Sequence, residues 1–128
     1  MPHFRIEYSA NLAGKFNVLE FCGRMHKAIL ETGLFELGAI RVRAFEAQAF
    51  AIADQLPENA FIDMTFKVGE GRTTEQLKQA GEHIFAAARE YLASHFTTPH
   101  FALSFQIEVI NGILSWKNNA MHARLRGT

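Results

Sequence analysis

From Pro2 to Tyr8 the chain alternates, with Phe4, Ile6 and Tyr8 to one side and His3, Arg5 and Glu7 to the other. That period of two predicts a half-buried strand. Ser9-Ala10-Asn11 breaks it, and Val18, Leu19, Cys22, Met25, His26 and Ile29 then recur at helical spacing, with Gly33 placed at the C′ position where a helix ends. Ile40, Val42 and Ala44 share a face opposite Arg41 and Arg43, predicting a second strand over 40–45. Alternation returns from Phe61 to Val68, where Ile62, Met64, Phe66 and Val68 share a face and Gly69-Glu70-Gly71 supplies the turn. Thr73 and Gln76 have the spacing of a capping box before a long helix carrying Leu77, Ala80, Ile84, Ala88, Tyr91, Leu92 and His95. After Pro99, the residues Phe101, Leu103, Phe105, Ile107 and Val109 alternate as a fourth strand.

One shift of the sequence lays Pro2, Phe4, Ile6 and Tyr8 over Ile62, Met64, Phe66 and Val68, and the first helix over the second. The chain thus reads as a duplicated β-α-β unit. A helical crossover makes the two strands of each unit parallel, and its right-handed sense puts both helices on one face. The expected fold is α+β: a four-stranded mixed sheet with two helices on one side. It forms a single domain over 1–128, with units at about 2–46 and 60–110 and a C-terminal arm at 111–128. The arm, which contains Trp116, is expected to pack on a neighbouring subunit or to rim a pocket.

Composition narrows the functions. At 48% hydrophobic and 20% charged residues, 128 residues can bury one core. Thirteen basic against 13 acidic residues leave no field to draw in a phosphate backbone, which argues against nucleic acid as a partner. The near-zero charge and 12 Phe suggest that another subunit covers the open face of the sheet. A single cysteine, Cys22, suits the reducing cytoplasm, and no apolar run reaches the ~18 residues of a membrane span.

Most chemical motifs are absent. The six histidines fall on different predicted elements, so no metal site is expected. The Gly69-x-Gly71 turn lacks the lysine and third glycine of phosphate loops, and Cys22 on an apolar helix face should be an inert thiol. Pro2 is different. Removal of Met1, usual before a small residue, leaves a secondary amine at the head of a strand that would otherwise simply tolerate a proline. If the second unit runs antiparallel to the first, Pro2, Arg41 and Arg72 converge at one edge of the sheet. Two guanidinium forks suit an anionic substrate and lower the pKa of a nearby amine, and apolar neighbours push it the same way.

Several segments share one pattern: the opening Met1-Pro2-His3-Phe4, then Thr32-Gly33-x-Phe35 with Gly38-x-Ile40-Arg41-x-Arg43, and Met64-Thr65-x-Lys67-x-Gly69-x-Gly71-Arg72. With Gln79-Ala80-Gly81-Glu82 and Ala102-Leu103-Ser104-Phe105-x-Ile107-Glu108 they form a set that resembles the 5-carboxymethyl-2-hydroxymuconate isomerase branch of the tautomerase superfamily. Separately, Glu70 to Gln76 resembles the turn and helix start of the short 4-oxalocrotonate tautomerases, single copies of the unit duplicated here. The resemblance implies a homotrimer and a cofactor-independent isomerase of homoprotocatechuate catabolism, acting on a polycarboxylate. It implies Pro2 as the acid-base group, Arg41 and Arg72 as its electrophilic partners, Arg43 as a further substrate contact and Trp116 as a pocket wall. Ile62 and Leu12 stand where a second Pro2 and Arg72 would fall, so each chain should hold one site. Another proline-dependent activity of the superfamily, a trimeric binding protein that keeps Met1, and a small-ligand carrier remain as alternatives.

Overall fold

The computed structural model describes residues 2–127. Its strands are β1 (His3–Ser9), β2 (Arg41–Ala47), β3 (Ala60–Val68) and β4 (Phe101–Val109), and its helices are α1 (Val18–Glu31), α2 (Thr74–Tyr91) and α3 (Ala120–Arg126). The sheet order is β2-β1-β3-β4. β1 and β2 run parallel, as do β3 and β4, whereas β1 and β3 pair antiparallel. This is the duplicated mixed sheet that the alternation predicts. Its register makes the duplication a pseudo-twofold: the shift that overlays the units carries Arg5 onto Thr65, these two residues pair, and Phe4↔Phe66 exchanges with Ile6↔Met64.

The helix ends follow local chemistry. Asn17 caps α1 by accepting from the Glu20 amide, and Gly33 with φ of 73° closes it at the expected position. Thr73 and Gln76 form the complete capping box of α2. The buried face of α1, however, is Phe21, Met25, Ala28 and Ile29, rotated from the expected set, and Leu19 is 83% exposed. His95 falls beyond α2, in a short 3₁₀ segment. Both helices pack on one side of the sheet, where Phe4, Ile6, Met64, Phe66 and Val68 are fully buried. Each large side chain among these contributes about 1.5–3 kcal/mol by leaving water.

The opposite face of the sheet is open, and it is polar rather than apolar. Alternation places His3, Arg5 and Glu7 there beside Arg41, Arg43, Asp63, Thr65 and Lys67. Composition cannot reveal this, because the phenylalanines go to the helix side: Phe4 packs on Phe66 and Phe105, and Phe35 on Phe66. Exposed apolar surface collects instead at Val109, Ile113, Leu114 and Trp116. A third helix, α3, appears within the arm. Among the described residues no helix is long and apolar enough to cross a membrane.

On the open face, Arg43 Nη1 lies 3.2 Å from His3 Nδ1. A guanidinium only donates, so Nδ1 accepts and the ring is neutral. Burial, followed by the charges of Arg43, Arg41 and Lys67, holds the His3 pKa below its ordinary value. Burial and then Lys15 lower His95 as well. The unfolded chain therefore binds more protons once the pH drops below the ordinary imidazole value of ~6.5. Stability should be fully present above that pH and decline as the pH falls from it towards the lowered folded values. Urea midpoints at about pH 7.5 and 5.5 read this difference, and His3→Gln, which keeps an acceptor for Arg43 without titrating, should reduce it. An unchanged difference in the variant would show that His3 is not its source.

Candidate active site

The antiparallel pairing of the two units decides what meets at each end of the sheet. Because β1 pairs parallel with β2 and antiparallel with β3, the starts of β1 and β2 and the ends of β3 and β4 lie together. Pro2 precedes the first of these, Arg41 opens the second, and the Gly69–Arg72 turn follows the third. The predicted convergence at one end is present. Pro2 is buried.

Arg72 is the most constrained of the three. Its Nε and Nη2 both donate to the Leu34 carbonyl, at 3.2 and 3.1 Å, and Nη1 donates to the Gly69 carbonyl at 3.3 Å. Its guanidinium lies 4.2 Å from the centroid of the Phe35 ring. Since Phe35 packs on Phe66, this fork sits on the helix side of the sheet, the side to which alternation assigns Pro2. Burial pulls the Arg72 pKa below the ordinary guanidinium value. Two carbonyls and an aromatic face hold the planar cation in one orientation, as a carboxylate-binding fork requires.

Arg41 comes from the other face. It pairs with His3, and the alternation that turns Val42 towards the helices turns Arg41 and Arg43 to the open side. Both are half-buried. The structure thus brings Arg72 to the Pro2 side, with Arg41 and Arg43 at the same end across the sheet. Trp116 lies in the arm, 85% exposed. Cys22 on α1 is partly buried, and burial pushes its thiol pKa up, away from the reactive thiolate. Among the described residues no three His, Cys, Asp or Glu side chains gather as metal ligands do.

The pseudo-twofold gives an internal control at the opposite end. Leu12, the counterpart of Arg72, is 3% exposed within the core, and Ile62, the counterpart of Pro2, is 1% exposed. The register puts Ser104 where the second unit would carry Arg41, and its hydroxyl donates to Asp63 at 2.5 Å. That end has been converted to packing. It also holds a polar network that the sequence reading missed: Asn59 donates to Ile52 and Asp54, His100 bonds the Asn59 side-chain oxygen, and Ser9 accepts from the Phe61 amide. A role for Phe35 beneath Arg72 was missed too, although its place after Thr32-Gly33 was a usable signal.

Comparison with known proteins gives one family. A model for 5-carboxymethyl-2-hydroxymuconate isomerase matches residues 2–125. The 5-carboxymethyl-2-hydroxymuconate Delta-isomerase of Escherichia coli is 33% identical over 123 residues, covering 96% of this chain and 98% of that protein. The crystal structure of a 5-carboxymethyl-2-hydroxymuconate isomerase from Deinococcus radiodurans R1 superimposes with a TM-score of 0.91 at 31% identity, covering 98% of this chain and 94% of that one. A fused 4-OT symmetric trimer shares the fold alone, with a TM-score of 0.67 at 16% identity over 91% of this chain and 93% of its own. With its motifs, topology and sequence in agreement over nearly its whole length, the chain belongs to the 5-carboxymethyl-2-hydroxymuconate isomerase family.

Proposed function

We propose that this isomerase moves a proton within a carboxymethyl-hydroxymuconate-type polycarboxylate, with the nitrogen of Pro2 as base and acid. The observation that carries the reading is a buried Pro2 at the same end of the sheet as an oriented, half-buried Arg72. Met1 lies outside the described residues; its removal is part of the proposal, because an acylated proline nitrogen has neither basicity nor a proton to give. Burial and the guanidinium charges both disfavour the protonated amine, so a neutral base is available near neutral pH.

In the forward step the neutral nitrogen takes the proton of the dienol 2-hydroxyl, and the oxygen lone pair becomes the new C=O. The displaced π electrons shift along the diene to its far carbon, which then receives the proton from the prolinium. No electrons enter or leave, so the chemistry calls for no cofactor. Arg72 binds a substrate carboxylate and stabilises the dienolate that exists between the two transfers. Arg41 takes a second carboxylate, Arg43 supports it from the neighbouring position on the open face, and Trp116 walls the pocket.

A homotrimer completes the reading. Its support is the apolar surface at Val109, Ile113, Leu114 and Trp116, which a single chain leaves to water. Native mass spectrometry should give three times the chain mass; a monomer that turns over substrate would refute the assembly.

The catalytic assignment has two tests. Pro2→Ala leaves a primary amine after processing and should lower kcat by about 10²-fold or more, the usual worth of a positioned acid-base group. A chain that retains Met1 should melt normally and be inactive; full activity in either form removes Pro2 from the chemistry. Arg72→Ala should cost about 10²–10³-fold in kcat/KM. It should also move the acid limb of the pH profile upward, because losing a nearby cation raises the amine pKa. A limb that stays in place would separate Arg72 from Pro2.

A further inference from the structure

The arm following β4 adds almost nothing to the core. None of the α3 residues Ala120–Arg126 is buried, and Ile113, Leu114 and Trp116 are 86%, 69% and 85% exposed. Its polar attachments fall on the two loops that carry the arginines. At one anchor, the Gly112 amide donates to Glu70 Oε1 at 2.5 Å, two residues before Arg72. At the other, Asn119 Nδ2 donates to the Gly38 carbonyl at 2.7 Å, three residues before Arg41, and Arg126 pairs with Glu36.

The second anchor is built to close tolerance. A Cβ on Gly38 would stand 3.0 Å from His122 Nδ1, 3.2 Å from the His122 amide nitrogen and 3.3 Å from its Cα. A side chain there would make α3 give by a few tenths of an ångström. Asn119 serves twice, since its Oδ1 caps α3 by accepting from the Met121 amide while its Nδ2 holds Gly38. Gly69 and Gly71 flank Glu70, and Gly38 lies in the 3₁₀ turn Leu37–Ala39 that leads into β2, so each anchor meets the chain where few side chains stand in its way.

We propose that residues 111–126 form a two-point brace that fixes the two arginines for carboxylate capture, with Glu70 positioning Arg72 and Asn119 positioning Arg41. The brace runs from the β3 side of the site end to the β2 side. This rests on the arginine roles proposed above. It assigns Glu70 and Asn119 no contact with substrate. Each acts through the loop it holds.

The test is a pair of double-mutant cycles read on KM, kcat and the Kd of cis,cis-muconate, a dicarboxylate probe measured by calorimetry. Glu70→Ala should raise the muconate Kd about three- to tenfold and lower kcat/KM by at least as much, because a displaced Arg72 both loses the carboxylate and stabilises the dienolate less well, and that is the range in which coupled neighbours interact. Glu70→Gln, which keeps an acceptor for the Gly112 amide, should recover much of that loss. In an Arg72→Ala background Glu70→Ala should have no further effect. Asn119→Ala should behave likewise against Arg41→Ala, and Gly38→Ala should reproduce Asn119→Ala. An unshifted kcat/KM and Kd, or the same shift with and without the arginine, overturns the brace and leaves the Pro2 mechanism standing. Full turnover in Pro2→Ala overturns that mechanism, and the muconate Kd still decides the brace.

Discussion

The antiparallel pairing of β1 with β3 is the constraint on which the rest of this molecule depends. Each β-α-β unit by itself would leave both of its outer strand edges open and its helix with half a partner. Joining the units at Arg5↔Thr65 closes one edge of each and brings α1 against α2. The same pairing decides the chemistry. A parallel join would carry the Gly69–Arg72 turn to the end of the sheet away from Pro2. Antiparallel pairing returns it, so Pro2 and Arg72, far apart in the sequence, come to the same end of the sheet. The placement of the proposed site is thus a consequence of register, and register is held by fully buried core side chains such as Phe4, Ile6, Met64 and Phe66.

Much of this was legible because both units obey the period-two rule. β4 begins and ends where alternation puts it, and the α2 capping box is complete. The helix-side core followed from the same pattern. What composition could not give was the division of faces: 12 phenylalanines suggest an apolar sheet face seeking a partner, yet the open face carries His3, Arg5, Arg41, Arg43 and Lys67. The face of α1 was misjudged because Leu19 looks apolar at the right spacing, while Phe21, whose ring stacks on Phe16 and Tyr91, claims the core. At the site, residue types and order were readable from Pro2, Arg41 and Arg72. Their orientations were not, since these depend on the Leu34 and Gly69 carbonyls, and a backbone acceptor has no sequence signature.

A formal charge of zero conceals a steep local asymmetry. Arg41, Arg43, Lys67 and Arg72 gather around the starts of β1 and β2 and the end of β3, and three of these charges help burial to lower the pKa of the neutral His3. Cations assembled next to a buried proline are costly to the fold, since they repel one another and a proton alike, and a bound anion relieves both.

The two ends of the pseudo-twofold show how a duplicated unit came to hold one site. At the far end, β2 must connect to β3, and residues 48–59 do so while Asn59 ties that loop to Asp54, Ile52 and His100. With Leu12 and Ile62 filling the interior, the far end needs no other cover. At the near end no connection crosses, because β1 and β2 begin there and β3 leaves for α2. Its two loops are tied by Arg72, which donates to the Leu34 and Gly69 carbonyls. The segment after β4 spans the same end, with polar hooks at Glu70 and Gly38. The two ends therefore differ in what fills them: the end that the 48–59 connection crosses is packed with Leu12 and Ile62, and the other carries Pro2, the arginines and the hooks of the segment after β4.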